Sequence, residues 1–267
     1  SGIGFALADK CLQEGMNVVL ADIEENKLKE TAENLSKHKK EILTVKTDVA
    51  KIIDIDNLAK KSFEKFNNVH LLFNNAGVSV GGPPLWEYTI NDWQWVMGVN
   101  LWGVIYGIHI FLPLMLSHGQ EGHIVNTASE AGLLSSSYMG VYNITKHGVV
   151  TLSETLYNEL QKKKASISVS VLCPGLVNTN ILDSSRNRNI ELQNNPKLEE
   201  ERLNRYKKFH DWITRGITKG LDPKIIANQV FDSIREDKFY IITHDWINKS
   251  VKIRMDNIIN GSNPEEP

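Results

Sequence analysis

Tyr142 and Lys146 lie four positions apart in "YNITK", a spacing that puts both side chains on one face if the segment is helical. A phenol beside an ammonium suits proton transfer to or from an alcohol or carbonyl oxygen. The free phenol titrates near pH 10, and a neighbouring cation favours the phenolate. Lowering its pKa by ~2–3 units takes roughly 3–4 kcal/mol. The pair alone is a short pattern that arises by chance. Ser129 ends the strand-like "GHIVNTAS", and Asn100 sits inside a long apolar helical run. Singly, Asn100 reads as a buried residue bonded to backbone and Ser129 as a cap after a strand.

A second set could hold phosphate. "SGIG", Ser1 to Gly4, runs straight into a helical pattern. Glycines let backbone approach a phosphate, and a helix N-terminus offers free N–H groups and a positive dipole end. Gly-x-Gly alone is also the mark of a plain tight turn. "VVLADI" ends in Asp22 followed by Ile23. An acid there can accept hydrogen bonds from ribose hydroxyls and repel a 2′-phosphate, or simply cap a helix.

The elements that would position these residues alternate. Strand-like runs at "NVVLADI", "EILTVKTDV", "VHLLFNNAG", "GHIVNTAS", "SISVSVLCPG" and "FYIITH" are separated by helical stretches, among them one from about 91 to 117 and one around Tyr142. Apolar strands alternating with helices indicate an α/β fold, a doubly wound parallel sheet of the Rossmann type. One domain over 1–267 is expected. No strand precedes "SGIG", so the first strand of such a sheet is expected to be missing, leaving a gap between "NVVLADI" and "VHLLFNNAG". The polar segment 178–220, with one helix through "KLEEERLNRYKKFHDWITRG", breaks the alternation and is expected to be a lid over the substrate. Residues 245–267 form a C-terminal extension.

Composition narrows the function. The chain has 267 residues, 41% hydrophobic and 23% charged, with net charge −2, so no basic field invites nucleic acid or an anionic membrane. The two cysteines, Cys11 and Cys173, make no disulfide framework, and a reducing cytoplasm is expected. The apolar run Leu101 to Leu116 contains His109 and Pro113 and is shorter than the roughly 20 residues of a membrane span. The histidines are not grouped as metal ligands, so no metal is expected. Trp86, Trp93, Trp95 and Trp102 read as packing.

With these residues in view, the sequence resembles the short-chain dehydrogenase/reductase family from Ser1 to about Thr179. The resemblance implies that Asn100, Ser129, Tyr142 and Lys146 are a catalytic tetrad, with Asn100 placing a relay water beside Lys146. It implies that Gly2 and Gly4, around Ile3, are the last glycines of a pyrophosphate loop, and that Asp22 binds ribose. Asp48 and Val49 would lie beside the adenine. Asn74, Ala76 and Gly77 would form the adenosine-side wall, and Pro174, Gly175, Val177 and Thr179 would contact the nicotinamide. Ser1 stands where NADP-preferring members often carry Arg or Lys, so NAD is expected over NADP. The implied partner is a secondary alcohol or ketone. Leu133, Leu134, Met139, Leu176 and Ile181 favour an apolar one, with Glu130 discordant. A homodimer or homotetramer is implied, although the C-terminus departs from members ending in Val-Asp-Gly-Gly. The alternative function is a non-catalytic dinucleotide sensor on the same fold.

Overall fold

Two parallel sheets carry the chain. In the computed structural model, which describes residues 2–266, β1 (Val18–Asp22) pairs with β2 (Ile42–Lys46), Asp22 standing opposite Lys46. A four-stranded sheet runs in the order β3 (Leu71–Asn74), β4 (Gly122–Thr127), β5 (Ile167–Cys173) and β6 (Tyr240–Ile242). Every pairing is parallel, so each crossover needs a helix.

The side-chain period of two sorts the strands onto two helical layers. Val125, Leu172 and Ile241 face Leu7 of α1 (Gly2–Gln13) and Ile226 and Val230 of α9 (Pro223–Arg235). Ile124 and Val169 face Ile55 of α3 (Ile52–Phe66), Phe111 of α5 (Gly103–Ser117) and Leu156 of α6 (Gly140–Lys163). Strands covered on both faces are largely apolar, as β3 is at Leu71, Leu72 and Phe73, while β4 buries His123 and Asn126 by bonding them to Ser170 and Ser153. Leu28 and Leu35 of α2 (Glu25–Leu35) pack under β1 with Ala8 and Leu12.

No described strand lies between β1 and β3, the place the sequence left open. The effect shows in burial. The ends of β4 and β5 beside the site are fully buried, whereas all of β3 is half-buried and Ala21 of β1 is exposed.

The run from Ile90 to Ser117 is one 28-residue helical stretch: α4 (Ile90–Met97), a five-residue π turn (Gly98–Trp102) and α5. It matches the helical stretch expected from about 91 to 117, and by length and composition alone it is long and apolar enough to cross a membrane. In the fold it is a core helix, with Val104, Gly107, Phe111 and Met115 buried. A Cβ at Gly107 would overlap the Asn74 carboxamide, so glycine lets the helix close onto β3.

The segment after β5 differs from the single helix expected. It has a 3-10 stretch (Ile181–Asn187), then α7 (Pro196–Arg205) and α8 (Lys207–Thr218), which part at Tyr206. The Tyr206 hydroxyl donates to Glu87 at 3.0 Å, pinning the break to the body of the domain. Asp92 on α4, fully buried, accepts from Arg188 at 2.8 Å, Arg202 at 2.9 Å and Asn194 at 2.7 Å. Burial alone would raise the Asp92 pKa, but the Thr89 N–H and these three side chains hold it below the usual carboxylate range. α10 (Asp245–Asn260) follows β6, and the tail returns to the domain where Glu266 accepts from the Ser137 N–H at 2.9 Å and hydroxyl at 2.7 Å.

Candidate active site

The carboxyl ends of β3, β4 and β5 open onto one cleft, where ligands bind in sheets of this kind. The cleft is lined by Ser129, Tyr142, Lys146, Gly77 and Pro174, and it continues into the space between β1 and β3, for a total of ≈ 1640 Å³.

Three elements deliver the four tetrad residues. Ser129 leaves β4 in an extended conformation (φ −178°) and its Oγ accepts the Ala131 N–H at 3.2 Å, so the capping role is real. The same hydroxyl is 3.5 Å from the Pro174 carbonyl, which ties it to the end of β5. Tyr142 and Lys146 share a face of α6, with Lys146 Nζ 5.6 Å from the Tyr142 ring centre. Lys146 donates to the Thr127 carbonyl at 2.9 Å. Asn100 lies in the π turn, a feature often found at functional sites. Its side chain is bonded to Val78 at the loop after β3, as the bland reading also required. Gly77 joins the group: a Cβ there would sit 3.6 Å from both Asn100 Oδ1 and Lys146 Nζ.

Electrostatics depart from the sequence expectation. Burial pushes the Tyr142 phenol up to about 12, with the Ser129 hydrogen bond pulling it down and the Glu130 charge raising it. Burial pushes Lys146 down to about 8. Desolvation sets both values, because both groups are buried.

The cofactor side is equally specific. Gly2 has φ +68°, and a Cβ there would come 3.0 Å from Thr179 Cγ2. A Cβ at Gly4 would come 2.8 Å from Asn75 Nδ2. Both glycines let the start of α1 abut the loops after β5 and β3. Asp22 closes β1 and accepts the Glu24 N–H at 2.9 Å, while Ile23 lines the cleft. Asp48 Oδ2 is buried without a hydrogen bond, 3.5 Å from Lys51 Nζ, and can accept from a donor on a bound base. Val49 packs on Gly103, where a Cβ would come 3.0 Å from its Cγ2.

Other assigned residues are structural in their side chains. Asn74 donates to Asn126 at 2.8 Å and bridges β3 to β4. Ile3 and Val177 pack in the core beside β5, and Ala76 is exposed. The Pro174 carbonyl accepts the Glu130 N–H at 2.9 Å, and the Gly175 N–H donates to Thr243 at 3.2 Å. Ser1 lies outside the described residues, and its assignment with it.

Residues 1–190 match the family model described as short chain dehydrogenase. The chain belongs to this family. The "CLA biosynthesis dehydrogenase/reductase" of Lactiplantibacillus plantarum is 30% identical over 266 residues, covering 99% of this chain and 92% of that protein. The "C alpha-dehydrogenase" of Sphingobium sp. is 30% identical over 275 residues, covering 100% of this chain and 85% of that protein. A solved short-chain dehydrogenase/reductase from Burkholderia phymatum, in complex with NAD, has TM-score 0.94 and 42% identity, covering 100% of this chain and 93% of that one. This short-chain dehydrogenase is therefore an oxidoreductase that moves a hydride between a nicotinamide cofactor and an alcohol or ketone. The sensor alternative finds no support among these dehydrogenases and reductases.

Sequence reasoning missed three residues of the dehydrogenase's cleft. Asn75, beside Gly4, accepts from Thr127 at 3.3 Å and was legible in "NNAG". Glu24 and Arg186 meet at 2.8 Å across 162 positions, and no local pattern announces that pairing.

Proposed function

We propose that this dehydrogenase uses NAD in preference to NADP on an apolar secondary alcohol or ketone, with Asn100, Ser129, Tyr142 and Lys146 handling the proton. The observation that carries this reading is that Ser129, Tyr142 and Lys146 line one cleft, with Asn100 of the π turn buried behind Gly77. NAD, when bound, supplies the hydride acceptor and, in its oxidised form, a positive charge beside the phenol. Gly2, Ile3 and Gly4 offer main-chain N–H groups to its pyrophosphate, Asp22 takes the ribose, and Asp48 and Val49 flank the base. Ala76, Gly77, Pro174, Gly175, Val177 and Thr179 wall the remainder.

Ser129 Oγ holds the substrate oxygen. Tyr142 is protonated at neutral pH, since its phenol lies near 12, and it stands ready to give that proton to a carbonyl. In oxidation it must become the base, and a cation beside it favours that form. Lys146, near 8, can exchange its proton at neutral pH and resupply the phenol. Asn100 keeps its side chain on Val78, so a relay water would sit on its main-chain carbonyl. Met139, Leu176, Ile181, Leu182 and Ile213 line the substrate end and favour a mostly apolar ligand. Residues 178–220 cover that end as a lid, because Leu176, Ile181, Ile213 and Ile217 line the cleft from it and its border. Cytoplasmic residence and assembly as a homodimer or homotetramer complete the reading, with Trp102 and Ile144 as exposed apolar contacts for the assembly.

The deciding experiment is Tyr142→Phe, with NAD binding measured by calorimetry and turnover measured on a panel of alcohols and ketones. Binding should persist and turnover should nearly vanish, because only the proton-transfer group is removed. A variant retaining more than about a tenth of the wild-type rate would sink the assignment.

A further inference from the structure

Glu130 follows Ser129 directly and lines the same cleft, half-buried, yet no described residue answers its charge. Among the described residues it forms no salt bridge, and its Oε2 is buried without a hydrogen-bond partner. Burial is the single influence on its acidity and pushes the carboxyl up to about 7. Its main chain is fully used: the N–H donates to Pro174 and the carbonyl accepts from Leu133 and Leu134. The side chain is therefore not needed to hold the turn. Its charge reaches the Tyr142 phenol, which places the carboxyl on the reacting side of the cleft.

An unanswered buried carboxyl destabilises a fold, and proteins keep such groups where a ligand completes them. Met139, Leu176 and Ile181 give the substrate end apolar walls, and Asn180, His210 and Asp211 also line the cleft. A carboxyl set among apolar side chains acts as a selector: it orients a ligand that has the matching group and rejects one that lacks it.

We propose that Glu130 is a specificity-determining residue that selects substrates bearing a second hydroxyl next to the reacting carbon: α-hydroxy ketones and the vicinal diols formed from them. Adjacency follows from Glu130 being the chain neighbour of Ser129, which holds the reacting oxygen. A hydroxyl suits this carboxyl in both of its states, donating to the carboxylate or accepting from the acid. An amine would be an ammonium at neutral pH, matched to the ionised state alone and placed near the Lys146 cation. The proposal rests on the hydride-transfer reading of the cleft, and its test separates the two.

The probes are matched ketones that differ by one hydroxyl: benzoin against deoxybenzoin, and acetoin against butanone. Wild type should favour the hydroxy ketone of a pair by at least ~10-fold in kcat/KM, chiefly through KM. Glu130→Gln, which keeps a hydrogen-bonding head, should retain most of that ratio. Glu130→Met, of similar size, should bring the ratio within about twofold of unity. Glu130→Ala serves as a second apolar variant, and thermal melts confirm folding. A second arm needs no turnover: calorimetry of benzoin and acetoin with the Tyr142→Phe protein, with and without Glu130→Met. Loss of hydroxyl-dependent binding with the carboxyl supports the proposal, even if no ketone is turned over and the hydride-transfer reading falls. Turnover with an unchanged ratio in Glu130→Met, or equal binding with and without the carboxyl, overturns it and leaves the hydride-transfer reading standing.

Discussion

Asn100 grips Val78 in both directions: its Nδ2 donates to the Val78 carbonyl at 2.9 Å and its Oδ1 accepts the Val78 N–H at 2.8 Å. The π turn places the side chain there, and both residues are buried. The bond fixes the loop that carries Gly77 against Lys146. Asn100→Ala should therefore orphan two main-chain groups in the interior, each costing roughly 1–3 kcal/mol. Urea unfolding should show a lower midpoint at unchanged slope. An unchanged midpoint would mean that Val78 finds other partners and that the loop does not depend on Asn100.

Lys146 sets function against stability. Its folded pKa of about 8 lies below the ordinary 10.5 because burial penalises the ammonium. Between those values the unfolded chain binds the proton that the folded one has released, so stability rises with pH across that window. The penalty is full below about 8 and gone above 10.5. At neutral pH it amounts to about 3 kcal/mol, partly offset by the Thr127 hydrogen bond of roughly 1 kcal/mol. Lys146→Met should abolish turnover yet melt higher than wild type at neutral pH. The gap should close as pH rises toward the upper end of the window. A variant that melts lower than wild type at neutral pH would show that the ammonium is a net stabiliser.

Much of this was readable from residue types, for physical reasons. The alternation of strand-like and helical stretches announced β4 and β5, and Gly2 and Gly4 ahead of a helical run announced the α1 turn. The gap between β1 and β3 followed from the alternation itself. What escaped was non-local or energetic. The break at Tyr206 depends on Glu87, far away in the chain. The buried Asp92 cluster draws Arg188, Asn194 and Arg202 from a segment that reads as a solvated surface. The rise of the Tyr142 pKa reflects desolvation, which spacing does not reveal.

The β1–β3 gap has a consequence for stability. Both strands present pairing edges there with no described strand between them. Buried unpaired groups cost roughly 1–3 kcal/mol each, against a total stability of about 5–15 kcal/mol. Joining an apolar strand that ends in Thr-Gly ahead of residue 1 should raise the melting temperature and tighten NAD binding. If the 267-residue chain already unfolds cooperatively and binds NAD as tightly as the extended one, the gap needs no strand.

Cofactor choice turns on three charges at the end of β1. Asp22 is exposed and accepts the Glu24 N–H. Glu24 accepts from Asn187 at 3.0 Å and from Arg186 at 2.8 and 3.1 Å, and those donors, Asn187 foremost, hold its carboxyl below the usual range. A 2′-phosphate would therefore approach two carboxylates. Arg186 is already engaged by Glu24 and, at 3.4 Å, by Asp183, and Lys27 adds a second positive charge near Glu24. NAD should be preferred over NADP by at least ~10-fold in kcat/KM, about 1.4 kcal/mol. Asp22→Ser removes one repulsion and should narrow the preference. Glu24→Gln should narrow it as well, by freeing Arg186 to meet the phosphate, and adding Arg186→Ala to that variant should restore much of it. Equal efficiency with NADP in the wild type would overturn the NAD reading. A Glu24→Gln preference that Arg186→Ala does not change would show that Arg186 takes no part in reading the ribose.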